Sequence, residues 1–575
     1  MKGLFYFAVL FLISFSALGQ EVKGIVKDLN GLPLPGVSVF MTKSAENVIT
    51  DIDGNFTING SVGDEIVFSM INYTKLVLKA NLNMNVVLKE NNDKQLEEVV
   101  VVGYGTRKKG AITGSVVQIK SEDILKNAGQ SAIQSIQGRA AGVAIVASDE
   151  PGASPTITIR GLGTLTGARN PLYVIDGVEA NGLNGLSAND IATIDILKDA
   201  SSLAIYGQKG ANGVVIVSTK KGKKGQLRIS YDGFFGIKQI QRKVKMSDSY
   251  RFAYYNNTAL GSSSFFNFNQ PVNTNWLNEI SQTGEVANHS VSISGGSDNL
   301  NFYLGLSNYT EKGILLGTEF KRTNVLSKNE YKYSDKFKIT QSFNLSVVDN
   351  TPKPASAFTN AYKQAPIVPV RYANGRYGVP FLNPDTGLND ITGLRFNNVG
   401  NPVAQLENTF EQTKNVTLFG NINAELKLLK SLKFNSSFGA TADWGKSYSF
   451  IPNRNIWLAE NPSLSEVDYL TQNPRGPNNT LIQRRTDFYN WNWDNYFTFK
   501  KEFGLSEITT VAGMSRTTSN NFEQINGTRF NVPIQNNYWF LDFSDANTPI
   551  GAANSVSNSH STPIVSVAYF GRLEY

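Results

Sequence analysis

The sequence predicts a mainly β protein in which a small β-sandwich and a mixed α/β domain precede about ten strands of a transmembrane β-barrel. Three observations carry this prediction. From Gln226 onward apolar and polar residues alternate with a period of two, in segments of roughly ten residues. The connections between those segments run short and long by turns, with one short exception near Lys312-Gly313, as when tight turns lie on one side of a membrane and long loops on the other. Fifty glycines, 34 Phe and 23 Tyr accompany only 18% charged residues, a composition of strands and turns.

The same composition excludes several chemistries. With no cysteine in 575 residues there is no disulfide scaffold, thiol nucleophile, Cys-based zinc site or lipid-modified amino-terminal cysteine. Only His289 and His560 are available for a His-dependent triad or zinc centre. The balance of 54 basic against 47 acidic residues is too even to point to nucleic acid. No cofactor is expected.

Residues 1–19 place Lys2 before an apolar stretch, Leu4 to Leu18, and end in Ala17-Leu18-Gly19, small residues at the two positions a signal peptidase reads. The stretch is about 15 residues where a spanning helix needs about 20, so it reads as a signal peptide cleaved before Gln20. No later run is long and apolar enough for a spanning helix, which leaves an exported protein or an outer-membrane barrel.

Residues 20–89 alternate short β-rich runs with turns, Asp28-Leu29-Asn30-Gly31 and Asp51-Ile52-Asp53-Gly54 among them, as in a small sandwich. Asp51 and Asp53 are possible calcium ligands, although an aspartate-rich turn is more often only a turn. Residues 90–109 form a polar linker interrupted by Val99-Val100-Val101-Val102 and closed by Gly103-Tyr104-Gly105. That valine run is a strand with no obvious local partner. It either joins a neighbouring sheet or adds to the edge of another protein's sheet through main-chain hydrogen bonds.

Residues 110–225 are mixed α/β. Short helices are expected over 121–126 and 132–137, with Ser121-Glu122-Asp123 as a helix start, and strands over 156–160, 171–175 and 213–217. The glycine-rich run 161–167 lacks the Gly-Lys-Ser/Thr of a phosphate loop. From residue 226 to 575 strands are expected at about 228–238, 288–297, 300–311, 318–332, 336–348, 415–428, 431–447, 486–500, 505–520 and 562–575. All six tryptophans lie in this region, consistent with interfacial girdles.

At this point the motifs carry a resemblance. The combination GIVKDLNGLPLPGVSVF with TDIDGNFTI resembles the carboxypeptidase regulatory-like domain, an immunoglobulin-like sandwich. The runs EEVVVVGYGT, IQGRAAGVAI, PLYVIDGVEA and ILKDASSLAIYGQKGANGVVIVSTKKGK, with AYFGRLEY at the end, resemble the SusC/RagA family of TonB-linked (TonB-dependent) outer-membrane transporters, in its amino-terminal portion. The resemblance implies a barrel of about 22 strands, with residues 110–225 as the plug that fills its lumen. It implies import of oligosaccharides or peptides, a SusD-like surface lipoprotein over the outer face, and energy from the proton motive force through TonB, ExbB and ExbD. By position, Glu98, Val99, Val100, Val101, Val102 and Gly103 fall in or beside the TonB box. Arg160, Gly161, Tyr173, Asp176, Gly177, Lys198, Asp199, Tyr206 and Gly207 belong to the plug motifs. The family members that signal to an anti-sigma factor carry a further amino-terminal domain, a role not expected here.

The physical account agrees with the resemblance. A pore wide enough for an oligosaccharide leaks unless a folded plug occludes it, and a signal across the periplasm needs a strand that a partner can grasp. Asp176, Asp190, Asp195 and Asp199 are better read as plug structure than as paired catalytic carboxylates. Arg160, Lys198 and Asp199 are expected to pair within the plug or against the barrel wall. Lys220 to Lys224 is expected to be a solvated rim at the plug-to-barrel junction. Tyr377, Trp457 and Trp539 are candidate ligand contacts in the outer loops, because sugars stack on aromatic faces. Ten strands cannot close around such a plug, so roughly twelve more are expected beyond Tyr575. The alternative is a truncated, non-transporting binding protein with an incomplete barrel.

Overall fold

The computed structural model describes residues 21–70, 73–89, 99–102, 105–108, 116–126, 131–161, 169–180, 182–183, 185–262, 264–474, 476–504, 506–533 and 555–575. The expected signal peptide lies outside them. The chain divides into two compact units, Met1–Val99 and Val100–Tyr575.

The first unit carries seven strands, β1 (Glu21–Lys27), β2 (Ser38–Met41), β3 (Asn47–Ile49), β4 (Asn55–Asn59), β5 (Glu65–Ser69), β6 (Leu76–Lys79) and β7 (Asn83–Val87). One sheet has the order β4-β1-β7 and the other β3-β2-β5-β6. Alternate residues turn inward, so Val22, Val26, Val39, Met41, Phe56, Ile58, Ile66 and Phe68 form the core. Phe56 and Phe68 meet edge to face with centroids 5.4 Å apart. The acidic turns hold backbone: Asp28 accepts from the amides of Asn30 and Leu32, and Asp51 from those of Asp53 and Asn55. These are local Asx turns, built on the Asp28 and Asp51 carboxylates.

After the linker come β8 (Val99–Val102) and β9 (Gly105–Lys108), which pair with each other as a two-stranded sheet. The valine run therefore does have a local partner. Only two residues separate the strands, the length of the tightest hairpin connection.

The α/β domain holds β10 (Val116–Lys120), β11 (Val143–Val146), β12 (Thr156–Ile159), β13 (Leu172–Ile175), β14 (Val178–Ala180), β15 (Ile191–Leu197) and β16 (Val214–Thr219). Five of them form a sheet ordered β10-β15-β16-β13-β14, and β11 pairs β12 separately. The two expected helices are present as Ser121–Leu125 and Ala132–Ser135. The second is capped by Ser131, whose hydroxyl accepts from the Gln134 amide. The first has no side-chain cap, but Glu122 and Asp123 sit in its first turn. The continuous apolar strands bury both faces, with Ile194, Ile196, Val215 and Val217 inaccessible on one and Leu197 and Val214 on the other.

The wall is one antiparallel sheet of β17 (Gly225–Lys238), β18 (Gly284–Gly296), β19 (Leu300–Lys312), β20 (Glu319–Lys332) and β21 (Phe337–Thr351), continued after the loop strands β22 (Phe381–Leu382) and β23 (Leu394–Arg395). Its remaining strands are β24 (Phe410–Lys427), β25 (Leu432–Ile451), β26 (Thr480–Phe503), β27 (Ser506–Ser519), β28 (Phe522–Phe530), β29 (Ser555–His560) and β30 (Ile564–Glu574). The dyad pattern has its physical cause in β19: Leu304 and Leu306 face outward, whereas Tyr303, Ser307, Tyr309 and Glu311 are buried on the inner side.

This sheet has twelve segments where ten strands were expected, and the register explains the difference. The long β26 pairs β27 through Asn492–Phe503 and β28 through Thr480–Phe488. In turn β27 pairs β30, and β28 pairs β29. Thus β27 with β28, and β29 with β30, are two crossings, each broken once at the same height. Asn520 takes a left-handed φ of 56° at the first break, and Pro563, with no amide to donate, stands at the second. The turns 297–299, 333–336, 428–431 and 504–505 are short. The connections 239–283, 352–409 and 452–479 are long and carry helices.

The outer loops share a core of Phe266, Trp276, Leu277, Ile280, Ala361 and Ile367 with their neighbours. Trp276 is 2% exposed and donates to the Ala365 carbonyl at 3.0 Å. The tryptophans are accordingly not all girdle residues: Trp276 and Trp457 lie in loop helices, while Trp444, Trp491 and Trp493 lie on strands. A loop that folds on itself needs large apolar side chains as much as a lipid interface does.

Candidate functional site

The chain's chemistry lies where the plug meets the inner face of the wall. An Asp-Gly pair joins β13 to β14 in two residues, and Asp176 and Gly177 take φ of 47° and 88°. Two consecutive left-handed residues are what a two-residue hairpin of this twist requires, and Asp-Gly supplies them cheaply. The turn aims the Asp176 carboxylate at the wall. It accepts from Lys328 Nζ of β20 at 2.7 Å, from Ser342 Oγ of β21 at 3.1 Å and from the Thr219 amide at 3.0 Å, with the Thr219 hydroxyl as a fourth donor. The Lys328 and Asp176 side chains are only 12% and 8% exposed. Burial pushes the Asp176 carboxyl up, but the Lys328 charge, its hydrogen bond and the two Thr219 donors outweigh it and hold it below the usual carboxylate range.

Beyond this turn the Gly185 carbonyl accepts from Asn324 and Asn344 of the wall, each at 2.7 Å. The backbone passes so close that a side chain on Gly185 would touch Ser346 and Thr417 at 3.7 Å. Asp190 is inaccessible, and one of its oxygens accepts from Tyr303 Oη at 2.8 Å while the other has no hydrogen-bond partner. Burial raises its pKa to about 6 against the opposing pull of Tyr303, Lys220 and Arg322. Lys209 reaches both Glu179 at 2.7 Å and Thr517 of the wall at 3.2 Å. A crevice of about 290 Å³ runs beside the Asp176 turn, with Gly105, Tyr206, Lys328 and Asp494 among its walls.

Most of the expected plug residues are placed by the fold. Arg160 pairs with Asp199, and Lys198 Nζ donates to the Ala141 carbonyl at 2.8 Å, so all three are engaged within the plug. Arg160 and Gly161 have φ of 55° and 85° and end β12 in a left-handed turn. Tyr173 is buried, which pushes its phenol up to about 12. Tyr206 lines the crevice, where burial and the nearby Asp494 and Glu179 raise its phenol. Gly207, with φ of 56°, breaks the helical stretch after it. Asp195 is taken by Gln118 at 2.8 Å and Thr193 at 3.2 Å, so each of the four aspartates has a structural donor. Glu98 and Gly103 lie outside the described residues, and Val99–Val102 is described as backbone only.

One expectation changes, and the loop aromatics find neighbours. The basic run is not wholly a solvated rim: Lys221, Lys223 and Lys224 are exposed, but Lys220 is half-buried near Asp190 and Asp232 and its pKa is lowered by burial. Gly222 lets this segment press on Gly295 and Phe302, whose carbonyl would lie 2.3 Å from any added Cβ. Tyr377 has its ring covered by Arg371 at 3.9 Å, and Trp457 packs edge to face on Tyr469 at 5.4 Å. Both residues remain partly exposed, and Trp539 lies outside the described residues. Exposed loop aromatics among the described residues include Tyr250, Tyr254, Tyr255, Phe265, Phe268 and Tyr362. The wall partners Lys328, Asn324, Asn344 and Tyr303 were not singled out from sequence. Their signal was a polar or charged residue at inward positions of otherwise alternating strands.

Comparison with known proteins places these parts. Residues 108–214 match the TonB-dependent receptor plug domain, and residues 22–101 match the CarboxypepD_reg-like domain. TonB-dependent receptor SusC of Bacteroides thetaiotaomicron is 30% identical over all of this chain and 57% of its own length. TonB-dependent receptor P3 of Formosa agariphila is 29% identical over all of this chain and 54% of its own. The chain thus spans about half the length of the curated relatives it matches. Among solved structures, the RagAB peptide importer in its open-open state superposes with a TM-score of 0.66 over 83% of this chain and 54% of that one, at 18% identity, a likeness of fold.

Proposed function

We propose, on the premise that the chain belongs to the SusC-type TonB-dependent receptors, that the whole protein imports a nutrient across the outer membrane and that this chain supplies its plug, its coupling strand and part of its wall. The observation that carries the reading is the plug itself, a folded α/β domain tied by side-chain hydrogen bonds and one buried ion pair to the inner face of a β-wall. Such an attachment closes a pore at rest and is weak enough, bond by bond, to yield to force.

In this reading the inner-membrane TonB–ExbB–ExbD complex grasps residues 98–103 and pulls, with energy from the proton motive force. A SusD-like lipoprotein covers the outer loops and presents an oligosaccharide or peptide. The chain's own residues hold and release the plug, and no bond of the cargo is made or broken. Relatives named as TonB-dependent receptors, one of them SusC, support the coupling, and the likeness to a peptide importer supports the transport of a polymer fragment.

The test is uptake by cells that carry the whole protein with Val100→Pro. Proline removes a main-chain donor from the strand that TonB pairs with. Accumulation of labelled cargo is expected to stop while binding at the cell surface persists. Unchanged uptake would overturn the proposal.

A further inference from the structure

A second cavity, of about 310 Å³, lies between the plug and strands β21, β24 and β25. Ligand pockets run from about 300 to about 1,000 Å³, so this one has room for a short fragment and not for a long chain. Register fixes its polar wall. Asn344, Phe419 and Thr441 are direct neighbours across the three strands, and Ser346, Thr417 and Asp443 form the next inward row, nearer the long loops. Asn344, 3% exposed, gives its amide nitrogen to the Gly185 carbonyl, and its Oδ1 has no hydrogen-bond partner. Thr441 Oγ1 and Ser346 Oγ are buried and have none either. The Asp443 carboxylate accepts from the Thr417 hydroxyl, and among the described residues no lysine or arginine pairs with it. No basic side chain is among the described residues that line the cavity, and Tyr173, Ile175 and Leu186 of the plug give it an apolar side.

The complement of such a wall is a set of hydrogen-bond donors that carries positive charge. Water or a sugar hydroxyl satisfies the acceptors and leaves the carboxylate's charge in place, whereas an ammonium group brings three donors and cancels it. Asp443 and Thr441 stand two residues apart on one strand, about 7 Å, so both side chains reach one such group. Asn344 stands two strands away, about 10 Å, where an N–H further along a bound peptide meets its oxygen. We propose that this cavity is a subsite for the ammonium-bearing end of a peptide, with the ammonium on Asp443 and Thr441, an amide N–H on Asn344 Oδ1 and an apolar side chain against the plug. That the peptide is cargo rests on the import reading above, and the subsite adds which of its two cargo classes this wall suits.

The test is titration calorimetry on the whole protein in detergent, without TonB. The probes are alanyl-alaninamide, its N-acetylated form, N-acetyl-lysinamide and maltose. Alanyl-alaninamide is expected to bind about tenfold or more tightly than its acetylated form, which lacks the charge. Asp443→Asn keeps an acceptor for Thr417, and Thr441→Val removes a hydroxyl that makes no hydrogen bond, so both are expected to melt at the parent's temperature. Asp443→Asn should erase the preference for the charged probe, and Thr441→Val should weaken binding of that probe several-fold. Tighter binding of alanyl-alaninamide than of N-acetyl-lysinamide assigns the site to an amino terminus, and the reverse order assigns it to a lysine side chain. No preference for charge, a preference that survives both substitutions, or maltose bound as tightly as the charged probe overturns the subsite. Uptake in the Val100→Pro variant separates the two readings. Lost uptake with no charge preference sinks the subsite and leaves the import reading standing, whereas a charge preference that obeys Asp443 together with normal uptake in Val100→Pro keeps the subsite and sinks the coupling.

Discussion

Replacing Lys328 by methionine leaves a carboxylate stranded in the plug–wall contact. In the parent, Asp176 accepts from Lys328, Ser342 and Thr219, and the Lys328 Nζ also bonds the Thr219 hydroxyl at 2.9 Å. Removing one partner of a buried pair costs about 3–5 kcal/mol. Because Ser342 and Thr219 remain as donors, the lower end of that range applies. About 3 kcal/mol is a factor of roughly 150 in the local opening equilibrium. The reporter is the Thr219 amide, which donates to Asp176 at 3.0 Å and becomes exchangeable when the turn leaves the wall. Hydrogen exchange of a peptide covering Val214–Thr219, in the whole protein in detergent, is expected to lose protection by about that factor in Lys328→Met. The double change Asp176→Asn with Lys328→Met removes the stranded charge and keeps an acceptor, so it is expected to recover most of the loss.

The same network gives a pH signature. The Asp176 carboxyl is held below its unfolded value, so its stabilisation is present throughout the neutral range and is lost only as pH falls through the folded value. In Lys328→Met burial is no longer opposed by that charge. The carboxyl moves up, and acidification should then restore protection. Normal exchange in Lys328→Met would refute the argument. So would a double variant as labile as the single, which would trace the effect to lost packing and not to charge.

Three further outcomes follow from the same contacts. Asp190 has a folded pKa near 6, above its unfolded value, so its charged form destabilises the contact above that pH and the penalty is relieved as pH falls from about 6 to about 4. The groups facing it are Tyr303, Lys220 and Arg322, with Asp232 reached through Asn189 at 3.3 Å. Asp190→Asn should therefore protect the Ala188–Asp190 turn at least tenfold at pH 7.5 and abolish the pH dependence, and equal exchange in both proteins would disprove it. Asn324→Ala or Asn344→Ala alone should cost about 1 kcal/mol, since the Gly185 carbonyl keeps one donor, while the double change should cost more than twice as much. Strict additivity in exchange at Gly185–Ser187 would count against the shared-acceptor reading. Trp276→Ala removes a buried side chain and its hydrogen bond from the outer-loop core, worth about 3–5 kcal/mol, and should expose residues 239–283 to added protease while plug exchange is unchanged. Loops that stay resistant would show that the loop core does not depend on this residue.

Much of the architecture was legible because its determinants are local. Strand alternation is a statement about each residue's own neighbours, and β19 and β20 lie within a residue or so of their expected places for that reason. The Asp-Gly turn after β13 is likewise announced by two residues whose backbone freedom suits it. Where local signals ended, the reading ran short. It missed the outer ends of the last crossings, because β27 and β28 are aligned by their register along β26, and β30 and β29 by theirs along β27 and β28. It found no partner for β8, although that partner lay two residues away.

By itself the sequence determined which residues make strands, the order of sandwich, linker, plug and wall, and a side-chain stock with no cysteine and only two histidines. Only the tertiary structure decided what each polar residue does. Asp176 meets Lys328 across 152 positions of chain, and Asn344 meets Gly185 across 159. Asp195 and Asp190 are both inaccessible, yet one is held inside the plug and the other meets the wall. Hydrophobic periodicity depends on residues close in the chain, whereas the charge and hydrogen bonding of a buried group depend on whatever the closed fold brings against it.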